Sequence, residues 1–183
     1  MKKLILFFTF LTANTLLFAQ LYEIPLDQKI DESQIIVEGK VVKSESFIGN
    51  YGRIYTAHKV EIQRIFKGTD FRESHLTIIT RGGKVDDRIT TWTHLLNLEE
   101  GESGIFFLRP TIHPVPIIRD FPNDNFDVFS SSQGFLKYVD GLEGKLAVTQ
   151  FQRYANIESE LVGAINLRTN ETPKVLENNS IYI

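Results

Sequence analysis

Cysteine is absent from all 183 residues. That excludes disulfide staples, thiolate metal sites and lipid-modified cysteine, so packing alone must hold the fold. Basic clusters are missing too. The chain has 20 Lys and Arg against 23 Asp and Glu, and its like charges run no longer than pairs such as Asp86-Asp87 and Glu99-Glu100. Nucleic-acid affinity comes mainly from clustered cations, so nucleic acid is not an expected partner. No apolar run is long enough for an integral membrane span. Leu4 to Phe18 falls short of the roughly 20 apolar residues required, and Thr9, Thr12, Asn14 and Thr15 interrupt it.

That same segment has another reading. Lys2 and Lys3 precede the apolar run Leu4 to Leu11, and Leu16 to Ala19 closes it before Gln20. Basic start, apolar centre and small residue at the end describe a secretory signal peptide. Residues 1–19 are therefore expected to be removed, leaving a protein of the periplasm or the extracellular space with no membrane span. Residues 20–168 are read as a single β-rich domain. Residues 169–183 are read as a polar, loose tail, or the start of a linker to a further domain.

Hydrophobic periodicity gives the elements. Leu26 to Ser33 has apolar residues four apart, the spacing of a short helix. Ile35 to Phe47 changes to a period of two, the mark of a strand. Gly39 in its middle points to a bend or a close backbone approach. Ile54 to Phe66 is a second strand, with Thr56, His58, Val60 and Ile62 on the face of Ile54 and a slip at Ile65-Phe66 that fits a bulge. His75 to Thr80 is a third. Arg81-Gly82-Gly83-Lys84 reads as a hairpin turn, and Ile89 to Leu98 as extended chain. Ile105 to Leu108 is apolar throughout, so this strand is expected to be buried on both faces. Phe126 to Ser131 and Phe135 to Val139 follow as short strands. Tyr154, Ile157, Leu161 and Ile165 make one helical stripe between Phe151 and Leu167. The order predicts a mainly β fold: a small, partly open barrel of the oligonucleotide/oligosaccharide-binding type, or a sandwich, with a short N-terminal helix and a C-terminal amphipathic helix. Ile35, Val37, Val60, Ile62, Ile78, Phe106 and Leu108 are expected to share one core.

Several segments carry a resemblance. They are Ser33-Gln-Ile-Ile-Val-Glu-Gly-Lys-Val41, Tyr55-Thr-Ala through Val60-Glu-Ile-Gln-Arg-Ile-Phe-Lys-Gly68, Leu76-Thr-Ile-Ile-Thr-Arg-Gly-Gly83, Leu98 to Gly101 with Gly104-Ile-Phe-Phe-Leu-Arg-Pro110, and Val128-Phe-Ser-Ser-Ser-Gln-Gly-Phe135 with the helix near Asn156-Ile-Glu158. Together they resemble the N-terminal β-module of bacterial secreted proteins associated with type IX secretion, over about Ser33 to Ile165. The resemblance implies an exported module. Such proteins end in a sorting domain, which nothing after Asn166 resembles, so the expectation is a periplasmic protein or the front piece of a longer one. A more distant likeness is to the netrin and metalloprotease-inhibitor barrels. Those inhibitors act through an N-terminal cysteine, so only their barrel shape carries over.

Chemistry-bearing motifs are sparse. His58, His75, His94 and His113 show no ligand spacing, and His58 is read as a satisfied core residue. Ser130-Ser131-Ser132 has no histidine near it in sequence. Arg81 to Lys84 departs from the phosphate-cradling pattern. Asp86, Asp87, Asp120, Asp124 and Asp127 lack the mid-loop Gly and terminal Glu of a helix-loop-helix calcium site. No catalytic, cofactor or metal residues are assigned. Trp92, the single tryptophan, is expected in the core, with a protein or carbohydrate contact as the alternative. On that alternative, Arg81, Trp92 and His94 form a candidate binding surface.

The expected function is a non-enzymatic exported domain acting as an interaction or accessory module, its partner a protein or carbohydrate outside the cytoplasm. The rivals are the accessory domain of a truncated secreted hydrolase and a protease-inhibitor-like barrel. The signal peptide is directly testable. Mass spectrometry of the protein from a periplasmic or culture fraction should show a chain beginning near Gln20; one beginning at Met1 would exclude cleavage.

Overall fold

Strands make up 45% of the structure and helical segments 18%, the mainly β fold expected. This computed structural model describes residues 22–176 except 94, 114 and 143. The expected signal peptide and the end of the tail lie outside the described residues. Among those described, no helix is long and apolar enough to cross a membrane.

Helix α1 (Leu26–Glu32) buries Ile30 and ends where Ser33 turns extended, its Oγ donating to Lys29 O at 2.7 Å. Strands β1 (Ile35–Ile48) and β2 (Ile54–Lys67) pair antiparallel along most of their length. Their register shifts at Ile36/Val37, opposite Phe66, and again beside Gly39. Bulges of this kind bend a strand and raise its twist. Strand β3 (His75–Arg81) pairs β2. The hairpin β4 (Gly83–Val85) and β5 (Arg88–Thr90) is a separate two-stranded sheet.

Strand β6 (Ser103–Pro110) pairs β1 along one edge. Its other edge is divided: β8 (Phe135–Gly141) takes the first half and β7 (Asn125–Val128) the second. Two parallel pairs, Thr77 with Asn125 and Ile78 with Phe126, join β7 to β3. The sheet thus runs β1-β2-β3-β7-β6 and returns to β1, a partly closed ring and not a regular barrel. Strands β9 (Gly144–Val148) and β10 (Arg153–Tyr154) extend it beyond β8.

Strand β6 is buried on both faces, as its unbroken apolar run predicts. Phe106 and Leu108 join Ile35, Val37, Val60, Ile62 and Ile78 in a cluster inside the ring. Those are the seven residues the period-two pattern selects. Ile105 and Phe107 point the other way, into a cluster with Ile30, Phe66, Leu161 and Ile165 under the helices.

Several expectations are corrected. The C-terminal helix begins at Ile157, not Phe151. It starts as a π-helical turn (Ile157–Val162), where Gly163 N–H bonds Glu158 O, and continues as α2 (Gly163–Thr169). Tyr154 belongs to β10, yet it packs on the same cluster as Leu161 and Ile165, which is why its spacing matches the helical stripe. The turn of the β4–β5 hairpin lies at Asp86-Asp87 rather than Arg81 to Lys84. Of the expected extended segment only Ile89 and Thr90 pair, at the end of β5, while Leu96 and Leu98 plug the ring without strand partners. Residues 170–176 are not loose. Strand β11 (Lys174–Val175) pairs β2, and the Glu171 carboxylate accepts from the N–H groups of Gly68 and Thr69 at 3.1 Å.

Phe106 stacks on Phe135 with ring centroids 4.3 Å apart. Phe106→Ala should therefore cost about 3–5 kcal/mol in chemical denaturation. A loss below about half a kcal/mol, the range of surface changes, would contradict this packing.

Candidate functional site

The inward face of β2 changes character along its length. Val60 and Ile62 fill the ring with aliphatic carbon, but Thr56 and His58 bring polar groups to its other end. His58 is 2% exposed. Its Nδ1 lies 2.8 Å from Ser44 Oγ and its Nε2 2.9 Å from Thr80 Oγ1. Burial pushes its pKa down to about 4, so the imidazole is neutral and both nitrogens are satisfied, as expected for a structural histidine. Beside it, Ser46 Oγ lies 3.0 Å from Thr56 Oγ1, which donates to Gly82 O at 2.8 Å. These bonds tie the end of β3 to β1 and β2. Gly83, at φ 129°, crosses above them, and a Cβ there would strike the Ser46 and Thr56 hydroxyls.

A cleft of about 420 Å³ opens at this end. It lies where β3 and β7 part. Their parallel pairing ends at Ile78 and Phe126, while β3 runs on to Arg81 and β7 to Val128. Thr80, Arg81, Arg109, His113, Asp127, Val128 and Ser130 to Ser132 line it. Ser130 and Ser131 both hold left-handed backbone, φ 54° and 55°. Consecutive non-glycine residues in this region are strained, and such strain gathers at functional sites. Ser131 Oγ accepts from Leu96 N–H at 2.8 Å, which fixes this wall.

Two exposed arginines, Arg81 and Arg109, and one carboxylate, Asp127, line the cleft, and neither arginine forms an ion pair among the described residues. Arg109 lies across the ladder from Asp127 and stacks over the Phe129 ring at 5.7 Å. Asp127 Oδ1 accepts from Thr111 Oγ1 at 2.8 Å. Arg81 is exposed and has no carboxylate partner among the described residues. Serine, histidine and aspartate all reach this cleft, the residue types of a nucleophilic triad. They are not connected as one: the His113 ring packs against Tyr55 at 5.1 Å, and Asp127 faces Thr111.

Of the sequence-derived surface, Arg81 lines the cleft, whereas Trp92 is not among its lining residues and packs beside Gly82, the neighbour of Arg81 in the chain. Trp92 Cδ1 is 3.6 Å from where a Cβ on Gly82 would lie. Its 59% exposure overturns the expectation that it fills the core, because Leu96 and Leu98 already occupy that place. His94 lies outside the described residues. Arg109, His113, Asp127 and the serines were not in the candidate surface. They come from segments far apart in sequence, and no spacing signals their meeting. The aspartates considered for calcium also separate: Asp120 pairs with Lys43 at 3.8 Å while Asp127 faces the cleft. Among the described residues, no three His, Asp or Glu side chains form a metal-holding group.

A second polar cluster lies on the outer face. Glu38, 8% exposed, accepts from Arg64 Nε and from Tyr138 OH, the latter at 2.8 Å. Arg64 also grips Glu158 with both terminal nitrogens, at 3.1 and 2.7 Å. Burial opposes the Arg64 charge, but the two carboxylates outweigh it and hold the guanidinium pKa above its usual range. Every member has a partner, so this cluster fastens the π-helical turn to the sheet.

No family model matches the chain, and no curated protein matches it.

His58 supplies a pH test. Its pKa is near 6.5 unfolded and about 4 folded. Its stability contribution is therefore complete above about pH 6.5 and is lost as pH falls toward 4, a loss of about 3 kcal/mol. In denaturation between pH 7 and 4, His58→Gln should be less stable at pH 7 and show a shallower fall. Parallel curves would mean the buried imidazole does not titrate this way.

Proposed function

We propose that this chain is an exported, non-enzymatic interaction module that captures its partner in the cleft between β3 and β7. The observation that carries this is an uncompensated cation in the cleft, Arg81, with the single tryptophan, Trp92, exposed beside the adjoining Gly82. Arg and Trp are enriched among residues that dominate binding energy. A large ring left in water costs free energy that a partner's coverage would recover. The unconnected serines, His113 and Asp127 support binding rather than hydrolysis, because a nucleophile needs a base oriented against it. Export rests on the basic and apolar pattern of residues 1–19. The partner class is protein or carbohydrate outside the cytoplasm.

Immobilised chain should retain ligands from an array of extracellular glycans and peptides. Trp92→Ala should weaken that capture while changing stability by no more than about half a kcal/mol, the range of exposed positions. Unchanged capture, or a variant unfolded near room temperature, would remove Trp92 from the binding role.

A further inference from the structure

We infer that the cleft takes an extended peptide bearing a carboxylate, which adds as a strand along the free edge of β3 and pairs its charge with Arg81. This rests on the cleft being the binding site and names what fits it. The backbone directions come first. Within a strand, successive residues turn their N–H and C=O to opposite edges. Thr77 N–H donates to Asp124 O, whereas Gly82 N–H donates to Ile54 O of β2. The odd-numbered residues of β3 therefore face β7, and the even-numbered ones face β2. Arg81 lies beyond the last pairing with β7, at Ile78 and Phe126. Its N–H and C=O consequently face the cleft.

The other wall follows the same alternation. Phe129 N–H donates to Phe107 O of β6 and Asp124 O accepts from β3, so Val128 turns its backbone to the β3 side. Arg81 and Val128 both line the cleft. Beyond the last β3–β7 pair, each strand end thus carries backbone groups turned to the cleft, with its opposite edge already paired. An extended chain laid between them satisfies both, the mode known as strand addition.

Charge selects the peptide. Asp127, the cleft's carboxylate, is engaged by Thr111 and stands opposite Arg109. Arg109 has that carboxylate opposite it on the ladder, whereas Arg81 has no carboxylate facing it and sits on the unpaired end of β3 itself; its fork-shaped guanidinium matches an incoming carboxylate. A saccharide meets the cation and the indole equally well but supplies no regular ladder of N–H and C=O for the two edges. That difference favours the peptide.

The carboxylate has two sources, a chain terminus or an Asp or Glu side chain. Four probes separate them: pools of tetrapeptides with Val, Ile, Thr and Tyr at each position, ending in free acid or in amide, each with and without one internal Glu. Trigalacturonate serves as the saccharide probe. Binding is read by Trp92 fluorescence and by amide protection of Arg81 and Val128 in hydrogen exchange. A carboxylate-bearing pool should give a saturable fluorescence change and protect both amides. The amide pool without Glu should bind about tenfold more weakly or worse. Arg81→Gln should produce the same loss, whereas Lys84→Gln, a nearby exposed cation, should not. Higher affinity of the amide pool with Glu than of the free-acid pool without it assigns the charge to a side chain, and the reverse order assigns it to a terminus; both support the inference.

Equal binding of all four pools, binding unaffected by Arg81→Gln, or saturation without protection of the two amides would overturn it. Capture of trigalacturonate in place of every peptide would also overturn it, while leaving the cleft as the binding site. Absence of binding by peptides and saccharide, with a Ser132→Phe variant that blocks the cleft behaving like the parent toward the wider array, would overturn both readings. Arg81 is exposed and makes no ion pair among the described residues, so Arg81→Gln should retain the parent's melting temperature and circular dichroism.

Discussion

The ring closes because β1 bends where Gly39 passes Gly104 and β2. The two glycines are register partners, and Gly39 also pairs Ile62 on its other side. A Cβ on Gly39 would lie 2.6 Å from Glu61 O and 2.7 Å from Val60 Cγ1. A Cβ on Gly104 would meet the Leu136 carbonyl and the Phe135 ring. Four strands therefore approach one another at a point where no side chain fits. With β1 bent there, one end of it serves the ring while the rest extends toward the β4–β5 hairpin. A straight β1 would leave β6 without the curvature that brings it back to β7.

This bend divides the apolar residues between two surfaces. Phe106 and Leu108 fill the ring, while Ile105 and Phe107 lie under α1 and α2. The outer cluster needs its helices held in place, and the charged groups do this. Arg168 joins α2 to Asp27 and Asp31 of α1, and Arg64 joins the π-helical turn to β1 through Glu38. Exposed pairs such as those of Arg168 contribute little stability individually. The buried Glu38 group differs: removing one partner would strand a charge against the sheet, a cost far above that of a surface pair.

The central core was legible because period-two alternation reports burial directly. Ile35, Val37, Val60 and Ile62 alternate with polar or outward residues, and all reach the inner cluster. The bulge at Phe66 was legible as a break in that alternation. Strands β9 and β10 were missed because they are short and flank residues that also satisfy helical spacing. Tyr154 and Ile157 face one cluster from two different elements, and periodicity cannot distinguish that from one helix. The cleft was the least legible feature. Arg81 stood out as a cation in a glycine-rich segment, but Arg109, Asp127 and Ser130 meet it only through the parallel closure of β3 on β7, a pairing of distant segments that neither spacing nor composition encodes.

The same closure explains how an open edge can coexist with a fixed one. An unpaired strand end ordinarily frays or recruits another chain. Here Thr80 is anchored through His58 to Ser44, and Gly82 through Thr56 to Ser46. The inner side of β3 is therefore bonded on both sides of Arg81, while its outer edge has no pair with β7 beyond Ile78. On the opposite wall, Ser131 is held by Leu96, and Gln133 by Ile24 N–H and Tyr22 O at 2.8 and 3.0 Å. Both walls are set by bonds that do not involve the cleft's free groups. On the proposed binding, a ligand would meet edges already in position, and little ordering cost would be left to the binding step.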